Sequence, residues 1–366
     1  MNRKKFKFNQ KIEITDPLRV FFLCGTKFTK DGLEDKRNVL KNHIETNYNS
    51  NHKVIILEEH FIFGNKKSKK FKDHLSYDQI FMKNLKDVEI LTGLYSDKIF
   101  IIHESISTAA ELGMFATDIN LLKRTCLITP DTFSVEEDKI SAFIRLAFFN
   151  YKSKEDNIKN ITFYPKIKKN IVSEIKTDYH SYFPQNKIPK NLGINIDKFI
   201  KEDDKEIIKV SFKKSNFNKI SGDQNTISYF YNNKELNVYI SPEIIRILLI
   251  SLFNLSDLRK ELRTNSAIKD SVQTLQNNFK LIIMNSISHI EGFDFSQHQI
   301  KIFLNDRKLE IRTAIGYFLY MLQAMDMVKL PNNDKNFVIS PKFERLFNCY
   351  SNIIKEIKPS KFNDSL

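Results

Sequence analysis

A carboxylate set one helical turn beyond a run of small residues is the feature of this chain best suited to chemistry. Glu111 follows Ser105, Ser107, Thr108, Ala109 and Ala110, and it precedes Leu112 and Gly113. Upstream, Lys98-Ile-Phe-Ile-Ile102 reads as a buried strand that runs out into His103 and Glu104. A strand feeding a helix in this way puts the helix N-terminus at the carboxyl edge of a sheet, where open α/β proteins bind ligands. Small side chains, Ser107 among them, let a bound molecule come close to the backbone. A carboxylate facing an N-glycoside can attack or shield the anomeric carbon as the sugar becomes oxocarbenium-like, the task carboxylates perform on O-glycosides. Glu111 also fits a structural role, because Thr108 as N-cap with Glu111 three residues on makes a capping box. Glu104 could bind a sugar hydroxyl or stand in water as a loop carboxylate. His103 reads as a structural strand-edge histidine.

The elements that must position these residues alternate between strand and helix. Arg19-Val-Phe-Phe-Leu-Cys24 is a buried strand ended by Gly25, and Cys24 and Gly25 offer a close backbone approach to a ligand. The following residues, Thr26 to Gly32, match neither a Walker A loop nor GxGxxG, so they establish no phosphate cradle. Residues 30 to 47 have helical period; Lys36 and Arg37 on this helix either pair with a substrate phosphate or form a solvated face. Val54 to Leu57 is a second strand. A helix over residues 77 to 94 carries Glu89, which points over the sheet edge or into water. Thr125 to Ile128 is a fourth strand, and Glu136 to Phe149 a further helix. Short strands alternating with helices predict a doubly wound parallel sheet over 18–150, behind a basic extension at 1–17.

Beyond residue 150 the pattern changes. Residues 151–240 read as a connector with some β-structure, including a hairpin turn from Tyr231 to Leu236. Over 241–350, helices are expected at Pro242 to Phe253, Ser266 to Ile287 and Arg307 to Met325. Short strands, Val328 to Leu330 and Phe337 to Ile339, flank a polar tip, and 351–366 form a tail. Helices followed by a ribbon follow the order of a winged helix-turn-helix, with the helix from Arg307 for recognition and residues 332–336 as wing. Arg307, Lys308, Arg312, Lys329 and Lys335 would then contact phosphates, and Arg312 and Thr313 the groove. A helical protein–protein module with a basic surface is the other reading.

Charge points the same way. The chain carries a net +14, with pI about 9.3, and most of the excess lies beyond residue 150. A polyanionic partner, nucleic acid first, would suit it; so would an AT-rich genome that favours Lys, Asn, Ile and Phe. No apolar run reaches the ~18 residues of a membrane span, and the basic N-terminus lacks a signal-peptide core, so a cytoplasmic protein with no membrane contact is expected. Three cysteines without CxxC spacing predict neither a metal nor a disulfide framework, and no cofactor motif is present.

The residues Phe22-Leu-Cys-Gly25, the helix with Lys36 and Arg37, and Glu104-Ser-Ile-Ser-Thr-Ala-Ala-Glu111-Leu-Gly-Met-Phe115 resemble nucleoside 2-deoxyribosyltransferase-like proteins. More closely, they resemble toxin or effector proteins encoded with bacterial retrons, some of which join such a domain to a C-terminal winged helix. The resemblance spans roughly residues 18–150 and is strongest over 98–116. It implies a deoxyribosyltransferase-like fold in which Glu111 matches the covalent nucleophile. Where those enzymes carry an Asp-Gly-rich turn, this chain has Glu104-Ser-Ile-Ser. It further implies an anti-phage effector that cleaves or transfers the N-glycosidic bond of a nucleoside, nucleotide or NAD-like molecule. A reverse transcriptase bound to multicopy single-stranded DNA would restrain it, and an oligomer is compatible with this role. A non-enzymatic nucleotide sensor and a DNA-binding regulator with a degenerate α/β domain are the alternatives.

Overall fold

Strands that are apolar at every position belong to a sheet covered on both faces, and Val20 to Cys24, Ile99 to Ile102 and Cys126 to Ile128 are buried throughout. The computed structural model describes residues 12–25, 34–60, 85–103, 105–130, 160–164, 167–173, 176–180, 183–201, 205–216, 225–304, 310–331 and 335–357. In chain order the first elements are β1 (Ile12–Thr15), β2 (Arg19–Gly25), α1 (Lys36–Asn47), β3 (His52–Ile55), α2 (Leu57–His60), α3 (Leu85–Tyr95), β4 (Lys98–Ile102), α4 (Ile106–Ala116), α5 (Ile119–Lys123), β5 (Thr125–Pro130) and β6 (Ile161–Tyr164). There follow β7 (Ile167–Ser173), β8 (Lys176–His180), α6 (Lys190–Ile200), β9 (Lys205–Ile208), β10 (Ser211–Lys214), β11 (Thr226–Tyr231) and β12 (Glu235–Ile240). The last are α7 (Pro242–Leu252), α8 (Ser256–Thr264), α9 (Ile268–Glu291), β13 (Gln299–Leu304), α10 (Ile311–Ala324), β14 (Val328–Lys329), β15 (Val338–Ile339), α11 (Pro341–Cys349) and α12 (Ser351–Ile357).

The chain forms two compact units, neither continuous in sequence. One comprises residues 18–60 and 96–203, the other residues 1–17, 61–95 and 204–366. The first holds the expected α/β sheet, five parallel strands in the order β3-β2-β4-β5-β6. Alternate residues serve its two faces. Phe21, Leu23, Val54, Ile56, Phe100, Ile102, Cys126 and Ile128 meet Val39, Leu40 and Ile44 of α1 and Leu192, Ile196 and Ile200 of α6. On the other face Phe22 packs edge-on against Phe115 of α4, with ring centroids 6.1 Å apart.

The division at residues 150 and 240 differs from this. The segment expected as a connector supplies the fifth strand, β6, and the covering helix α6 to the first unit, and β9 to β12 to the second. Its Asn- and Lys-rich composition hides an apolar helical stripe, Leu192, Ile196 and Ile200. The helix expected at 77–94 is described from Leu85, and it belongs to the second unit. There it packs on α7 and α10. Val88, Leu91, Thr92, Gly93, Leu94 and Tyr95 are all buried, more surface than one face of a sheet can cover. Arg246 Nη1 donates to the Tyr95 carbonyl at 2.8 Å, the Tyr95 hydroxyl donates to the Ala314 carbonyl at 3.1 Å, and the Thr92 and Tyr317 hydroxyls are hydrogen-bonded. The helix expected at 136–149 lies outside the described residues.

The second unit contains a mixed sheet, β10-β11-β12-β13, whose central pair is the expected hairpin. Its helices α7, α9 and α10 fall where periodicity placed them. A chain ended at residue 150 is expected to be insoluble and without a cooperative thermal transition. It loses β6 and α6, whose Leu192, Ile196 and Ile200 belong to the same core cluster as Leu40 and Phe100, and each large core side chain is worth roughly 1.5–3 kcal/mol. Circular dichroism melting of the truncated and full chains checks this; a cooperative transition in the short form would contradict it.

Candidate functional site at the sheet switch point

From β2 the chain moves outward to β3 and then returns to place β4 on the opposite side of β2. Strand order reverses between β2 and β4, so α1 and α4 leave on opposite faces and a crevice opens at the two carboxyl ends. Gly25 and Ile102 are paired there. A Cβ on Gly25 would lie 3.2 Å from Arg37 Cδ and 3.3 Å from Ile102 Cβ. The glycine therefore lets the Arg37 stem lie across the strand end.

At the start of α4, Ser105 is the N-cap and forms a capping box with Thr108. His103 Nδ1 lies 3.2 Å from Thr108 Oγ1, and the His103 amide donates to the Ile128 carbonyl at 2.8 Å. The capping box expected between Thr108 and Glu111 is corrected by this: Thr108 is N3, and Glu111 stands in the second turn. Thr108, Leu112 and Phe115 form the buried stripe of α4. With 100° per residue, Glu111 falls at the margin of that stripe, between Phe115 and Ser107. It is half-buried, with Oε2 shielded from water, and Ser107 one turn earlier is exposed. Cys24 and Gly25 are buried at the strand end.

Arg37 departs from both of its sequence readings. It is 3% exposed, and Lys36 is 4%, so neither sits on a solvated face. The guanidinium donates to Asp35 through Nη2 at 2.8 Å and to Glu58 through Nη1 at 2.8 Å, with Nε also directed at Asp35. Burial works against its charge, but the hydrogen bonds and charges of Asp35 and Glu58 outweigh it and raise the pKa further. Two carboxylates to one guanidinium leave this group net negative, which disfavours a phosphate there. Lys36 Nζ lies 5.0 Å from the centre of the Tyr164 ring. Sequence reasoning missed Asp35 and Glu58; the available signals were an Asp two residues ahead of an Arg at a helix start, and an acidic pair directly after a strand.

The remaining candidates are scattered. Glu89 is on α3, outside the unit that holds the sheet. Glu104, Arg307 and Lys308 lie outside the described residues. Arg312 and Thr313 are half-buried in the first turn of α10. The rest of that helix, Ala314 to Leu322, is buried, so the expected recognition helix is a core helix, packed by α3, α9 and β13. The cause is visible in its composition: it is apolar on every side, which leaves no face to enter a groove. Lys329 and Lys335 are exposed. Among the described residues no cluster of His, Cys, Asp or Glu could hold a metal, and no helix is long and apolar enough to cross a membrane.

Together these features define a doubly wound α/β protein with a half-buried carboxylate, Glu111, on the helix that follows the switch-point strand β4. Residues 34–330 match the family described as STM3845 retron effector protein, and the chain belongs to that family. Membership associates it with a retron system and with anti-phage defence. No curated protein matches the chain.

Proposed function

We propose that the α/β unit is the effector's catalytic part and acts on an N-glycosidic bond of a nucleoside, nucleotide or NAD-like molecule. Glu111 is the nucleophile or the anion that shields the oxocarbenium-like centre. The observation that carries this reading is the Ser105–Thr108 capping box, which relieves Glu111 of a capping duty on the helix that leaves the switch point. A carboxylate partly withdrawn from water is a stronger electrostatic partner for developing positive charge than a solvated one. Ser107 lines the same helix edge, and Glu104 is a sugar-hydroxyl ligand in this scheme. The negative Asp35–Arg37–Glu58 group supports recognition of sugar hydroxyls rather than phosphate on the α1 side.

The nucleoside deoxyribosyltransferase-like reading of the sheet belongs to the same proposal, and the winged-helix reading is kept for the architecture of β14, β15 and the preceding helix alone, without α10 as a groove-reading helix. A nucleic-acid partner, the retron's own DNA held by its reverse transcriptase, accounts for the positive charge beyond residue 150. Incubating the purified chain with base-labelled nucleosides, nucleotides and NAD, and following free base by chromatography, tests the chemistry. Release of base supports it. Stoichiometric binding without release would favour the non-enzymatic nucleotide sensor.

A further inference from the structure

Two carboxylates meet the Arg37 guanidinium, and one of them is enough to balance its charge. Asp35 is buried and accepts from both Nε and Nη2. Glu58 adds a second carboxylate, its Oε2 accepting from Nη1 at 2.8 Å, while 47% of its side chain stays exposed. The adjacent Glu59 is matched separately, by Lys41 at 2.8 Å. Among the described residues Glu58 meets no partner except Arg37. Its Oε1 therefore keeps its lone pairs for a donor that comes from outside the chain.

Strand pairing fixes where that oxygen stands. β3 runs parallel to β2 and ends at Ile55, opposite Phe22, so Glu58 follows at the carboxyl edge that also holds Gly25, the last residue of β2. A Cβ on Gly25 would lie 3.2 Å from Arg37 Cδ, and the same side chain ends on Glu58. The Glu58 carboxylate is thus within one arginine side chain of the switch-point strand end. In doubly wound sheets, an acid at the end of the strand beside the first one holds a ribose 2′-hydroxyl. Arg37 is buried and gripped by Asp35, so it fixes Glu58 before a ligand arrives and lowers the ordering cost of binding. A carboxylate only accepts, and a hydroxyl bound to it makes a charge-assisted hydrogen bond, whereas a phosphate is repelled. We propose that Glu58 is a specificity residue of the α/β unit: its Oε1 accepts the 2′-hydroxyl of the ribosyl group whose N-glycosidic bond is cleaved, with Arg37 as the positioning residue. The inference rests on the glycosidic reading of this unit and narrows its substrates to ribosyl compounds over 2′-deoxyribosyl ones.

Base release by the full chain from ribonucleosides, their 2′-deoxy counterparts and NAD, followed by chromatography, tests it. Ribosyl substrates should exceed the deoxy ones by about tenfold or more in kcat/KM, the scale of one hydrogen bond to a charged group. Glu58→Ala should cut that preference about tenfold, through KM rather than kcat. Thermal melts establish that the variant is folded. Should it not fold, Glu58→Gln takes its place, since the amide can keep the Arg37 contact through its oxygen while a donor replaces Oε1. Base release without a preference for ribose, or a folded variant that keeps the preference, would overturn this inference and leave the glycosidic reading standing. If the wild type releases no base from any substrate, the glycosidic reading falls, and calorimetric titration with adenosine and 2′-deoxyadenosine decides the ribose site. Tighter binding of adenosine that is lost in the Glu58 variant supports it, and equal or undetectable binding overturns it.

Discussion

Glu111→Gln should lower glycosidic turnover by three orders of magnitude or more while the protein melts as the wild type does. A thousandfold loss corresponds to about 4 kcal/mol of transition-state stabilisation, a usual scale for removing a nucleophile whose task no neighbour can take over. Glutamine keeps the size and helix propensity of the side chain, and the capping of α4 rests on Ser105 and Thr108, so stability has little reason to change. In cells the same substitution should abolish toxicity at equal protein level. Parallel assays of base release and of melting temperature separate the outcomes. Wild-type turnover in the folded variant would remove Glu111 from the chemistry, and a large fall in melting temperature would make it structural.

The sheet was legible because its strands are apolar runs with sharp ends. Arg19 to Gly25, Lys98 to Ile102 and Thr125 to Ile128 can be read from local pattern alone, and their order follows from the rule for doubly wound sheets. The capping of α4 is ambiguous in sequence, since Ser105 and Thr108 both qualify as N-caps and spacing cannot choose between them; the cap is Ser105. The fate of α3 was not legible at all. Periodicity reports that a helix is apolar, never which unit will bury it, and the contacts that fix α3 come from Arg246, Ala314 and Tyr317, far along the chain. The burial of α10, by contrast, is legible in its composition, since Ala314 to Leu322 are apolar on every side, a pattern that outweighs the helix-then-ribbon order of a winged helix. The mixed sheet was half-legible, as a hairpin over Thr226 to Ile240. Its outer strands, β10 and β13, pair in parallel across long connections that leave no local signature.

Arg37→Met should destabilise the α/β unit by about 3–5 kcal/mol, the range for removing one member of a buried ion pair and leaving its partner charged. Asp35, 7% exposed, would lose its three guanidinium contacts at once. Glu58, whose side chain is 47% exposed, can turn to water and should contribute little to the loss. The α1 N-cap itself survives, because Asp35 also accepts from the Arg37 backbone amide at 2.9 Å. That separation gives a rescue. Asp35→Ser retains a capping oxygen but removes the stranded charge, so the Arg37→Met, Asp35→Ser double variant should regain most of the lost stability. Urea denaturation of the four proteins in the cycle measures the coupling. If Arg37 instead served mainly as a phosphate ligand, its removal would weaken binding of phosphorylated substrates over their nucleosides and leave stability nearly intact, and the double variant would recover nothing.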